Sequence, residues 1–190
     1  MIIGLAGGAG SGKSTVLKYL SDKYDAVPVI ADDIAKEEMK KDTACFKELK
    51  KILPKEVYTK DGEIDRGKLG DIFFEDDALR IKVNSIVHER VKRSAKKIMC
   101  DSSKLYILES AILFSSGFDK LCDEVWFAFA PKKTRRERLR RDRNYSHKKI
   151  DDIFRAQSYD DKCKDKADFI LNCGNSLTDT KRQIDMRLGR

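Results

Sequence analysis

Eight residues near the start of the chain, Gly7-Gly-Ala-Gly-Ser-Gly-Lys13-Ser14, have types and spacing suited to holding a string of phosphates. They fit G-x-x-x-x-G-K-[ST], follow the apolar run Ile2 to Ala6, and lead into a segment with Val16, Leu17 and Leu20 at helical spacing. Glycine lets the backbone take left-handed angles and come close to an anion, so that successive N–H groups converge on phosphate oxygens. On this reading Gly8, Ala9, Gly10, Ser11, Gly12, Lys13, Ser14 and Thr15 form a cradle, with the positive end of the following helix behind it. Lys13 is placed to bridge β and γ phosphates, and the Ser14 hydroxyl to ligate Mg²⁺. A nucleoside triphosphate site is the working premise. The reaction stays open, because the same loop serves switches, motors and kinases.

Phosphoryl transfer needs positioning, positive charge over the moving group, a metal and an acceptor for the attacking hydroxyl's proton. Ligands of an open parallel sheet collect beyond the carboxyl ends of its strands, and two carboxylates fall at such ends. Asp32 follows the run Val27 to Ala31; it is placed to accept a hydroxyl proton, and equally to cap the next helix. Glu109 closes the run Leu105 to Leu108 and suits either a metal held through water or a structural role. Lys132 to Arg143 carries eight basic residues against two acids, six of the eight net positive charges. It reads as a solvated surface helix, a nucleic-acid face, or a lid that brings arginines over a triphosphate. Aromatic residues are not interleaved with its charges, as a base-stacking surface requires. The lid reading is preferred, with Arg138 and Arg141, three residues apart, on one helical face. A guanidinium fork pairs two phosphate oxygens at once. His88 lies in a helical stretch, where a lone histidine is ordinarily structural.

Positioning these groups takes alternating strands and helices, hence a parallel sheet covered on both faces. Strands are expected at Ile2–Ala6, Val27–Ala31, Leu105–Leu108, Glu124–Phe129 and Ala167–Leu171, and helices between and after them. The second helix is expected from Asp33, and the Asp61-Gly62 turn is read as a loop. With 190 residues and three prolines, the chain reads as a single domain over residues 1–190. No run approaches the roughly 20 apolar residues that span a membrane, and the first residues read as strand rather than signal peptide. The five cysteines are widely spaced, with no C-x-x-C pair, and read as free thiols in a reducing compartment. A cytoplasmic enzyme with no membrane or nucleic-acid partner, monomeric or weakly self-associating, is the expectation.

Several segments in order resemble the dephospho-coenzyme A kinase family, over Ile3 to about Gly174. The loop Gly7 to Thr15 is similar to its G-G-I-G-S-G-K-S. Ile30-Ala-Asp-Asp-Ile-Ala-Lys36 resembles D-A-D-x-x-A-R, and Ile64-Asp-Arg66 with Leu69 resembles the start of its acceptor-binding helices. Ile86-Val-His88 falls on its histidine, and Ser110-Ala-Ile-Leu-Phe-Ser115 on a drifted P-L-L-F-E. Arg138, Arg141 and Asp142 match R-x-x-R-[DN], and Ile153-Phe-Arg-Ala-Gln157 the segment after it. Ala167 to Leu171 with Asn172 and Gly174 is similar to A-D-x-V-I-x-N-x-G.

The resemblance implies a three-layer α/β/α P-loop kinase core with about five parallel strands, an acceptor-binding helical region at about 43–101 and a helical lid at about 132–158. It implies ATP as donor with Mg²⁺, and dephospho-coenzyme A phosphorylated at its ribose 3′-hydroxyl. It makes Asp32 the base, Lys13, Arg138 and Arg141 catalytic, and puts Asn172 and Gly174 beside the adenine. Arg66 and His88 fall on the acceptor side. The sequence departs from the family at Ile30, where an aspartate is usual, at Ala111 for proline, at Ser115 for glutamate, at Glu89 for proline and at Lys36 for arginine. Glu109 is the candidate to replace the missing Ser115 carboxylate at the acceptor and metal. A kinase for another nucleoside or nucleotide, or a P-loop ATPase or switch, is the alternative.

Overall fold

A computed structural model describes residues 1–189, except for the side chains of Phe74 and Asp160. Its strands are β1 (Ile2–Ala6), β2 (Val27–Ile30), β3 (Tyr106–Glu109), β4 (Glu124–Phe129) and β5 (Phe169–Asn172). Its helices are α1 (Lys13–Tyr24), α2 (Ala31–Glu38), α3 (Ala44–Leu49), α4 (Arg66–Glu75), α5 (Asp77–Ile98), α6 (Lys132–Arg143), α7 (His147–Ala156), α8 (Ser158–Lys162) and α9 (Leu177–Arg187). The chain falls into two compact units, residues 1–30 with 99–190, and residues 31–98.

The first unit is built on one sheet of order β2-β3-β1-β4-β5, with every pair parallel, as the alternation of elements requires. β1 is central, and the chain visits one side of it before the other. Parallel strands are buried on both faces, and β1, β3 and β4 accordingly read as nearly unbroken apolar runs. Ile3, Leu5 and Trp126 of the sheet pack with Val16 and Leu20 of α1 and Ile184 of α9 in one core. The α1–α9 contact is also polar. Asp185 accepts from Tyr24 Oη at 2.6 Å and Tyr19 Oη at 2.9 Å, and pairs with Lys23 at 2.9 Å.

In the second unit, Val83, Val87, Val91 and Ala95 recur every fourth residue along α5 and form its buried stripe. Arg90 pairs with Glu48 of α3, and Ser94 donates to Glu38 of α2. The segment read as loop around Gly62 is a small hairpin instead. Tyr58 and Ile64 form an antiparallel bridge, Thr59 N donates to Glu63 O at 2.8 Å, and Gly62 turns at φ +78°. A single bridged pair leaves almost no alternating pattern to read, which is why Ile64 alone offered little sign of a strand. α2 begins at Ala31, two residues earlier than expected, so Asp32 lies within its first turn. Among the described residues no helix is long and apolar enough to cross a membrane, and all five cysteines are free thiols.

Bonds from Tyr24, Lys23 and Tyr19 hold the Asp185 carboxyl at about 2, below its ordinary 3.8. A depressed carboxyl stabilises the fold above its unfolded value, and that contribution is lost as pH falls from about 4 to about 2. Asp185→Asn should lower Tm at pH 7 by a few degrees and flatten the loss of Tm between pH 4 and 2, measured by circular dichroism melts. An unchanged acid limb would show that the α1–α9 contact does not depend on this charge.

Candidate active site

The loop after β1 has the form of an anion cradle. Gly12 lies at φ +112°, a left-handed turn that lets α1 begin at Lys13, with Thr15 N and Val16 N donating to the Gly12 carbonyl at 3.0 and 3.1 Å. Among the described residues, the amides of Gly10, Gly12, Lys13 and Ser14 have no protein acceptor. Four neighbouring donors at a helix N-terminus, without internal partners, await an external anion. Lys13 Nζ donates to Gly7 O at 2.8 Å and pairs with Glu109 Oε1 at 3.2 Å, where the two side chains are only 10% and 18% exposed. The sheet register explains the pairing, because Leu5 of β1 stands beside Glu109 of β3, and Glu109 beside Ile30 of β2.

α6 and the turn after β5 hold the loop from its other side. Arg138 donates to the carbonyls of Gly10 and Ser11, both at 3.3 Å, and to that of Cys173 at 2.7 Å. Among the described residues no carboxylate lies within ion-pair distance of Arg138, so its charge is uncompensated next to the loop. Arg141 does not join it. Its side chain is 73% exposed and pairs with Asp142 at 2.7 Å. Asn172 spends its side chain on the turn, accepting from Gly174 N at 2.9 Å, and a Cβ at Gly174 would approach Pro131 Cδ to 2.8 Å. Burial, opposed by Arg138, pushes the Cys173 thiol up to about 11, so it is neutral at pH 7.

The sequence analysis did not single out Arg135 or Asp161. Arg135, 5% exposed, donates through Nε to Ala9 O at 2.9 Å and through Nη1 to Asp161 Oδ2 at 2.9 Å. Its guanidinium lies over the Phe154 ring at 4.6 Å, and Ala9 N donates to Gln157 Oε1 at 2.8 Å. The available signal was helical phase, since Arg135 shares a face with Arg138 and Leu139, the other buried position of α6. Gly8 is not left-handed here. It is needed because any Cβ would collide with Arg135 Nη2 and come within 2.6 Å of Cζ.

Asp32, Arg66 and His88 belong to the second unit. The Asp32 carboxylate is exposed and, among the described residues, makes no capping bond or ion pair, whereas its neighbour Asp33 pairs with Lys36 at 2.6 Å. Arg66 opens α4 behind the Asp65 cap, exposed and, among the described residues, without a carboxylate partner. His88 sits beside the buried stripe of α5. Burial first, and Lys92 second, lower its pKa, so it is neutral at pH 7.

A family model described as dephospho-CoA kinase matches residues 1–179. A dephospho-CoA kinase of Bacillus licheniformis is 33% identical over 99% of this chain and 95% of its own. The crystal structure of TT1252 from Thermus thermophilus superposes with a TM-score of 0.84 at 26% identity, covering 100% of this chain and 96% of that one. A dephospho-CoA kinase from Campylobacter jejuni shares the fold, with a TM-score of 0.68 at 21% identity over 99% and 95% of the two chains.

Gly8→Ala should cost about 1–3 kcal/mol of stability, because the guanidinium it strikes is pinned at two nitrogens. Urea midpoints measure this, and the same substitution in an Arg135→Ala background should cost much less. Equal costs in both backgrounds would mean that Arg135 does not set the requirement for glycine.

Proposed function

The chain belongs to the dephospho-CoA kinase family, and we propose that it moves the γ-phosphoryl group of ATP to the ribose 3′-hydroxyl of dephospho-coenzyme A, giving ADP and coenzyme A. The observation that carries this reading is the set of acceptor-free amides at Gly10, Gly12, Lys13 and Ser14, flanked by Lys13 and by the uncompensated charge of Arg138. Triphosphate oxygens satisfy those amides, and Lys13 is already held beside them by Gly7 and Glu109. Donors fixed before the substrate arrives need no reorganisation as charge develops, which is where electrostatic catalysis gains most. Asn172 and Gly174 shape the turn beside which the adenine lies.

In the transfer, the 3′-oxygen bonds to the γ-phosphorus as the bond to the β–γ bridging oxygen breaks. Asp32 accepts the hydroxyl proton. Its support is an exposed carboxylate in the first turn of α2 that, among the described residues, makes no ion pair. Arg138 offsets negative charge on the moving group. Arg141 can help only once its pair with Asp142 breaks. Arg66, exposed and, among the described residues, without a carboxylate partner, suits the acceptor's phosphates, and neutral His88 falls on the same side by the resemblance.

Mg²⁺ would be held by Ser14 Oγ and, through water, by Glu109, and would neutralise charge on the β and γ oxygens. The donor set fits, because both ligands are hard oxygens. Among the described residues no three His, Cys, Asp or Glu side chains gather into a metal cage, which leaves the remaining positions to phosphate and water. Glu109 is the candidate to supply the carboxylate absent at Ser115.

A coupled assay of ADP release should show strong stimulation by dephospho-coenzyme A and little by other nucleosides. ADP release that ignores the acceptor would overturn the reading. Asp32→Asn should lower kcat roughly 10²-fold or more while ATP still binds. A near-normal kcat would remove Asp32 from the chemistry.

A further inference from the structure

Two arginines on one face of α6 touch the phosphate loop, yet their charges have opposite fates. Among the described residues Arg138 donates to carbonyl oxygens and makes no ion pair, whereas Arg135 is neutralised by Asp161, packed on Phe154 and almost wholly buried. An arginine so compensated has little to offer a phosphate. Its unshared contact is geometric. Nε holds the Ala9 carbonyl while Nη1 holds Asp161, and the peptide group before that carbonyl is held where Ala9 N donates to Gln157 Oε1. The remaining nitrogen, Nη2, is buried without a hydrogen-bond partner among the described residues and fills the space left by Gly8.

We infer that Arg135 is a positioning residue for the donor site: with Gln157 and Asp161 it forms a strap that holds the backbone of Ala9 at both its N–H and its carbonyl and shapes the phosphate loop before nucleotide arrives. This rests on the reading of the loop as the ATP site. A loop already ordered loses less conformational freedom on binding, so the strap acts on nucleotide affinity rather than on the chemical step. The fork is specific to arginine, since lysine offers one nitrogen where two acceptors in different directions must be met. The Ala9 amide, engaged by Gln157, is also distinct from the four acceptor-free amides next to it. The strap and the cradle therefore use different donors of the same loop.

The test uses Arg135→Lys, Asp161→Asn and Gln157→Leu in the full chain, with three readouts. These are the Kd of a fluorescent ATP analogue without acceptor, the KM for ATP with kcat, and amide hydrogen exchange across residues 7–14 without nucleotide. Losing one strap bond should raise Kd and KM about tenfold with kcat within about threefold, the smallest change being for Asp161→Asn, whose amide oxygen still accepts. Exchange at Ala9 should quicken at least tenfold in Gln157→Leu. Folded variants with parental Kd and parental exchange would overturn the strap. So would a fall in kcat at unchanged KM, which would place Arg135 on the reacting group. Gln157→Leu keeps the buried ion pair, so it decides the matter if Arg135→Lys fails to fold. A parent that binds ATP but gives no turnover with dephospho-coenzyme A overturns the acceptor reading, while the Kd and exchange results still judge the strap.

Discussion

A phosphate-binding loop can present free N–H groups to a ligand only if its own carbonyls find donors elsewhere, because buried backbone groups left unpaired are costly. In this protein α6 supplies donors to three successive carbonyls of the loop. Arg135 serves Ala9, and Arg138 serves Gly10, Ser11 and Cys173. Much of the first unit follows from that requirement. α6 must start soon after β4, which it does at Lys132 behind the Pro131 cap, and the β5 turn must pass close enough for Cys173 to share Arg138, which Gly174 allows by lacking a Cβ against Pro131.

The same contacts sort the charges of a strongly basic helix. Arg135 and Arg136 pair with Asp161 and Asp151 and Arg141 with Asp142, while Arg138, among the described residues, makes no ion pair and turns its guanidinium to the loop carbonyls. Net charge would not have identified it. On the other side of the loop, Glu109 and Lys13 hold each other. That keeps both charges paired in a largely buried place and leaves the lysine in position.

Local features were legible in the sequence, and features made by distant partners were not. The phosphate loop is a run of consecutive residues, and the limits of β4 and α6 coincide with an apolar run and a basic one. Arg135, by contrast, is the same residue type as its neighbour Arg136; only Ala9 and Asp161, 126 and 26 positions away, tell them apart. Arg141 was expected beside Arg138 from helical phase, yet the adjacent Asp142 turns its side chain away. Asp32 looked like a junction residue and proved to be inside the first turn of α2, its side chain making no capping bond among the described residues.

β1 has as its ladder partners Tyr106–Glu109 and Glu124–Phe129, with the whole second unit lying between it and them in the chain. During synthesis, then, the strand that carries the loop waits without a hydrogen-bonded neighbour until about a hundred further residues have been made. Residues 31–98 draw their contacts from nearby sequence and face no such delay. The segment that most plainly announces itself in the sequence is therefore among the last to acquire its shape, and an arrested ribosome holding two thirds of the chain would carry its glycines and lysine but not the α6 donors that make them a site.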